Sequence, residues 1–158
     1  MNISRVIPVS LGLLILAAAP LVGAAQTAKP DWYNVNIQKS DAGFHYVTGG
    51  VGDAEQAVMS SRFDTYSYKL VNVVSGPEAA FVSNVHVVII NDKGKKLLET
   101  TTDGPWLIAN LSPGKYSIKA TFDETTKTRD MVLHDGAHER MVIDWNPDGN
   151  VDELVKWD

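Results

Sequence analysis

"LSPGKYSIKA", residues 111–120, is the stretch that decides the fold. Pro113 restricts φ and Gly114 admits backbone conformations closed to other residues, so the chain is expected to reverse between "WLIAN" and "KYSIKATF". In "KYSIKATF", Tyr116, Ile118, Ala120 and Phe122 alternate with Lys115, Ser117, Lys119 and Thr121. That period of two is the signature of a half-buried strand. Leu111 and Tyr116 are then placed to close one end of a sandwich.

The segments on either side read the same way. "NVHVVIIN" sets Val85, Val87 and Ile89 on one face and His86, Val88 and Ile90 on the other, which predicts a central strand covered on both sides. "NDKG" supplies a turn with Gly94 at positive φ, and "KKLLETTT" returns as a β-branched partner strand. Gly104 in "DGPW" marks another turn. "TKTRDMVLH" and "AHERMVIDW" flank Asp135 and Gly136 and read as a second hairpin. Upstream, "GFHYVTGG" is a short strand, and "TYSYKLVNVV" a longer one presenting Tyr66, Tyr68 and Leu70 on one face. Between them a short helix is expected near residues 53–61, capped by Asp53, with Ala54, Ala57, Val58 and Met59 on its apolar side. The acidic, turn-rich residues 146–158 read as a tail with at most a helical turn.

Composition narrows the setting. Residues 1–25 carry a single basic residue, Arg5, an apolar run interrupted by Ser10, Gly12 and Pro20, and small residues ending at Ala24 and Ala25. This is the pattern of a secretory signal peptide cleaved after Ala24 or Ala25, with no membrane span left once it is removed. Taking Arg5 from the 14 basic residues leaves 13 against 19 acidic ones, a net charge of −6. That balance disfavours nucleic acid, whose phosphates need clustered Lys and Arg. The chain has no cysteine, so an exported domain of this kind must stand on its core alone, and the bacterial periplasm is the address that fits.

With seven or so strands and regular turn signals, the fold class is an all-β sandwich. Residues 84–145 resemble the carboxypeptidase regulatory-like domain, a transthyretin-like (prealbumin-like) Greek-key sandwich, through Asp92, Gly94, Thr102, Gly104, Trp106, Leu111, Pro113, Gly114, Tyr116, Ile118 and Ala120. Two departures are the Asp92–Gly94 spacing and the Pro105 that directly follows Gly104. The resemblance implies a seven-stranded-type fold and a module that is usually non-catalytic. Around that core at 84–145, residues 26–83 are expected as an N-terminal extension packed on the sandwich.

Chemistry is sparse in the sequence. His134 and His138 in "HDGAH" have two ligands' worth of metal spacing across a turn, but no third or fourth ligand, and read as solvated turn residues. His45 and His86 are isolated. No Gly-x-Ser-x-Gly elbow, HExxH or P-loop is present, and "GGVGDAEQ" carries Asp53 and Glu55, which would repel a phosphate. The reading is therefore an exported, non-catalytic module with no cofactor and no metal, binding an envelope protein or a glycan. Two alternatives stand beside it. A carbohydrate-binding module would use exposed aromatics, with Trp106 and Tyr116 as candidate ligand contacts among Trp32, Trp145 and Trp157. A small transthyretin-like hydrolase would need two histidines to converge with Arg129 or Arg140, although the chain ends in "ELVKWD" and lacks that family's tail. Gly94, Gly104, Pro113, Gly114 and Gly136 are expected to serve as structural turn residues.

Overall fold

A computed structural model describes residues 35–77, 79–146 and 154–156. The expected signal peptide, Trp32 and Trp157 lie outside them. Among the described residues eleven strands form two sheets, joined by one helix. The smaller sheet runs β6 (Lys96–Thr101), β5 (His86–Asn91), β8 (Gly114–Phe122), β9 (Thr125–Leu133), every pair antiparallel. In the larger sheet the order is β1 (Gln38–Lys39), β2 (His45–Gly49), β7 (Trp106–Ala109), β3 (Tyr68–Val74), β10 (Glu139–Asp144), β11 (Leu154–Lys156), with β4 (Ala80–Phe81) beside the end of β3. The chain is thus mostly β with one short helix, an all-β sandwich.

Between the sheets lies the main core. Tyr68, Leu70, Leu107, Met141 and Ile143 of the larger sheet pack with Val87, Ile89, Ile118, Ala120, Met131 and Leu133 of the smaller one. Ile118, at 0% exposure, shows what drives this packing: full burial of such a side chain stabilises the fold by about 1.5–3 kcal/mol.

The helix has a topological cause. Strands β2 and β3 each pair antiparallel with β7, so they are parallel to one another with β7 between them. Parallel strands cannot be joined by a tight hairpin and need a crossover. α1 (Gly52–Arg62) is that crossover, and it lays Met59, followed by Phe63, on the outer face of the larger sheet against Val47, Val71, Trp106 and Ile108.

Several sequence expectations are corrected. The second hairpin does not form: β9 and β10 lie in different sheets, β10 running parallel to β3. Gly136, at φ 67, turns the chain from one sheet to the other, and the hairpin partner of β9 is β8, joined through Asp123 and Glu124, both at positive φ. Gly94 does take positive φ, 73°. Gly114, by contrast, is not among the residues with positive φ, and a Cβ there would make only an ordinary contact, 3.5 Å from the Tyr116 hydroxyl. The turn is closed by that hydroxyl instead, which donates to the Ser112 carbonyl.

Asp53 does not cap α1. Its N-cap is Val51, without a side-chain cap bond, and Glu55 reaches back to accept from the Val51 N–H. Of the helix's expected apolar side only Met59 is buried. Tyr66 does not share a face with Tyr68; it precedes β3 and packs edge-on against Phe63. Strand β5 is central in its sheet, but only one face is covered, since His86, Val88 and Ile90 are half-buried. The C-terminal region is more than a tail, because Leu154–Lys156 pairs with β10. Residues 26–83 also do more than pack on a finished sandwich: β3 stands between β7 and β10.

Candidate functional site

The two glycine-rich stretches of the sequence meet on the outer face of the larger sheet. Gly104 lies so close to β2 that a Cβ would come within 2.3 Å of the Gly49 carbonyl oxygen, and one on Gly50 would come within 2.8 Å of Trp106 Cγ. Gly50 has φ 87, a backbone state that favours glycine. The chain can therefore pass over the indole with no side chain in between.

Beneath α1, strand register sets two rows of side chains. Val47, Ile108, Lys69 and Arg140 form one row across β2, β7, β3 and β10; Trp106, Val71 and Val142 belong to the next. Lys69 is diagonal to Trp106, and its ammonium stands 3.0 Å from the indole ring centroid, where the ring's negative face attracts a cation. Only 6% of Lys69 is exposed. Burial, with the Arg140 charge beside it, pulls its pKa down to about 7; both effects disfavour the charged amine.

Two donors on this face are buried without a hydrogen-bond partner, Trp106 Nε1 and Arg140 Nε. Such groups are few in folded proteins and each calls for a cause. Next to Lys69, a crevice of about 10 Å³ is lined by Ser60, Phe63, Asp64, Tyr66, Ile108 and His138, room for a single water. His138 Nδ1 is 3.0 Å from the Tyr66 carbonyl oxygen, so that nitrogen carries the proton and Nε2 is the ring's other polar end.

Trp106 and Tyr116, the candidate aromatic contacts, are both buried, at 7% and 8% exposure. Trp106 lies under Gly50 and Lys69, whereas the Tyr116 ring belongs to the main core and its burial, with Asp92 nearby, raises the phenol's pKa. Trp145 is buried as well. His45 is exposed on β2 of the larger sheet, and His86 sits on β5 of the smaller one, 3.3 Å from Glu99. His134 and His138 share a shallow hollow of about 210 Å³ with Thr65, Ser67 and Asn110. Arg129 is on β9 and Arg140 on β10, in separate sheets. Among the described residues no three of His, Asp or Glu group as metal ligands, and no helix is long and apolar enough to cross a membrane.

Lys69 was not singled out by the sequence. Alternation alone places it opposite Tyr68 and Leu70, the expected solvent side of a half-buried strand. The signal was nearby: Val71 and Val73 share its face, as do Trp106 and Ile108 on β7 and Val142 on β10. Strands apolar on both faces are covered on both. Comparison with protein-family models, with curated proteins and with solved structures finds no match for this chain.

Proposed function

We propose that this protein is an exported, non-catalytic binding module of the bacterial cell envelope, a transthyretin-like sandwich of the carboxypeptidase regulatory-like kind, whose binding face is the helix-covered side of its larger sheet. One observation carries the reading. Trp106 Nε1 and Arg140 Nε are left without hydrogen-bond partners beside the buried Lys69, whereas the buried amide of Asn72 is paired. Asn72, at 0% exposure, donates to the Pro105 carbonyl and accepts from Trp145 Nε1. Where a protein breaks a local rule, the residues that break it are a place to look for function. The "LSPGKYSIKA" segment and the two-sheet architecture support the family reading, and the apolar N-terminal run supports export.

The test uses boiled, protein-free envelope extract as a source of small ligands. Adding it to the purified protein is expected to change tryptophan emission and slow amide exchange in α1, both changes being lost in Lys69→Met. An extract that alters neither contradicts the reading. Recovery of the chain solely in the membrane fraction with Arg5 retained would contradict export.

A further inference from the structure

We infer that the outer edge of β10 accepts an extended segment of another protein, one with an apolar residue and, two places on, a basic one, and that β11 holds the place of that segment within the chain. The inference goes beyond the binding face proposed above and does not depend on it. On one side β10 pairs along all six of its residues with parallel β3. On the other, only Glu139, Arg140 and Met141 are paired, antiparallel, with Lys156, Val155 and Leu154. Backbone groups on a strand edge take up an extended chain laid along them, and the side chains opposite decide which chain stays.

Register states the chemistry of that segment. Directly opposed positions of an antiparallel pair share a face of the sheet. Met141 belongs to the main core, and the position opposite it is Leu154. Glu139, two residues earlier on the same face, is a buried carboxylate, and the position opposite it is Lys156. An apolar position thus meets the core and a basic one meets a buried acid. Between them Val155 is opposite Arg140, on the α1 face.

The chain's own strand is a partial fit to this edge. Past Met141, Val142 and Ile143 have no strand beside them on that side among the described residues, and Asp144 after them accepts from the Lys127 ammonium through its carbonyl. Counted on in the same register, Glu153 would fall opposite Val142 and Asp152 opposite the fully buried Ile143. Carboxylates suit such apolar partners poorly. A segment with an apolar residue opposite Ile143 lengthens the ladder without that penalty. The C-terminus of a second copy carries the same two acids, and against it the tethered β11 has the advantage of effective concentration, so the edge fits a different protein.

The probes are a fluorescently labelled peptide of residues 149–158 and the same peptide carrying Asp152→Val, each added to the full chain and followed by anisotropy. In the chain, Leu154→Pro with Val155→Pro removes β11: the N–H groups of neighbouring strand residues point to alternate edges, so one of the two prolines takes away a ladder donor. The proline chain is expected to bind both peptides, the Asp152→Val form more tightly. It should bind at least about tenfold more tightly than the wild type, whose edge is free only while β11 is off it. Lys156→Glu in the peptide should weaken binding several-fold. If the proline chain does not fold, the wild type decides: excess Asp152→Val peptide is expected to speed amide exchange at residues 154–156 while exchange across Glu139–Met141 stays slow. No binding, equal binding by wild type and proline chain, indifference to Lys156→Glu, or unchanged exchange at 154–156 each overturns the proposal. So does a concentration-dependent dimer of the wild type that the prolines abolish, which would make a second copy the occupant.

Discussion

Trp145 and Trp106 are buried alike, at 8% and 7% exposure, and each has a lysine near its ring, yet they sit in opposite kinds of environment. Trp145 faces the main core; its Nε1 donates to Asn72 Oδ1 at 3.3 Å, and Lys127 stands 5.8 Å from its ring centroid. Trp106 faces α1; its Nε1 has no partner, and Lys69 is pressed to 3.0 Å from its ring centroid. One tryptophan completes a closed hydrogen-bond set, whereas the other keeps its N–H without a hydrogen-bond partner and has the buried Lys69 against its ring. The difference separates a tryptophan whose N–H the fold satisfies from one whose N–H it leaves without a hydrogen bond.

The largest effect expected from breaking this contrast is at the glycine contact that brings β2 to Trp106. Gly104→Ala forces a Cβ into the Gly49 carbonyl and should cost more than about 2 kcal/mol in urea denaturation, as overpacking against backbone does. Gly114→Ala, with ordinary clearance and no positive φ, should stay within about 1 kcal/mol. Equal costs at the two sites would mean that the close approach of β2 and the Gly104 turn is not maintained in solution.

The indole pair itself sharpens the comparison next. Asn72→Leu leaves the Trp145 N–H buried and unpaired and should cost about 1–3 kcal/mol. Trp106→Phe removes an N–H that already lacks an acceptor, so beyond the smaller ring it loses no hydrogen bond, and its cost should be the lesser of the two. The reverse order, measured by thermal and urea unfolding, would show Trp106 to be the better satisfied residue. Smallest of all, His134→Ala at the exposed end of β9 should change stability by no more than about 0.5 kcal/mol.

These same residues show what could be read from the sequence. The strands of the smaller sheet were legible as strands, and Ile118 against Lys119 announces one covered side; the apolar Val88 and Ile90 made β5 read as covered on both, although they are only half-buried. Pairing was less legible. "HDGAH" carries the dipeptide of a tight hairpin, but local turn chemistry says nothing about which sheet the next strand joins, and the apolar faces of β3 and β7 drew β10 into the larger sheet. Likewise "SPGKY" was recognisable as a turn, although the hydroxyl of Tyr116, not an unusual φ at Gly114, closes it. The candidate site was hidden because lysine on an alternating strand reads as solvent-facing. Residues of the crossover that β2 and β3 need because they are parallel, Ser60, Phe63, Asp64 and Tyr66, line the crevice beside it.

The central claim, that Lys69 is a charge held on a covered face at a cost to stability, is tested most directly by the pH dependence of unfolding in the wild type and Lys69→Met. Burial and Arg140 lower the folded-state pKa from 10.5 to about 7. Between those values the unfolded chain binds more protons than the folded one, so stability contributed at this site rises with pH from about 7 to 10.5, and the penalty is fully present below 7. After allowance for solvent reaching the amine and for the ring beneath it, about 1–3 kcal/mol is expected. Lys69→Met should therefore be more stable than the wild type at pH 6, with the advantage shrinking toward pH 10. A variant that is less stable at pH 6, or a difference that does not change with pH, would contradict the account.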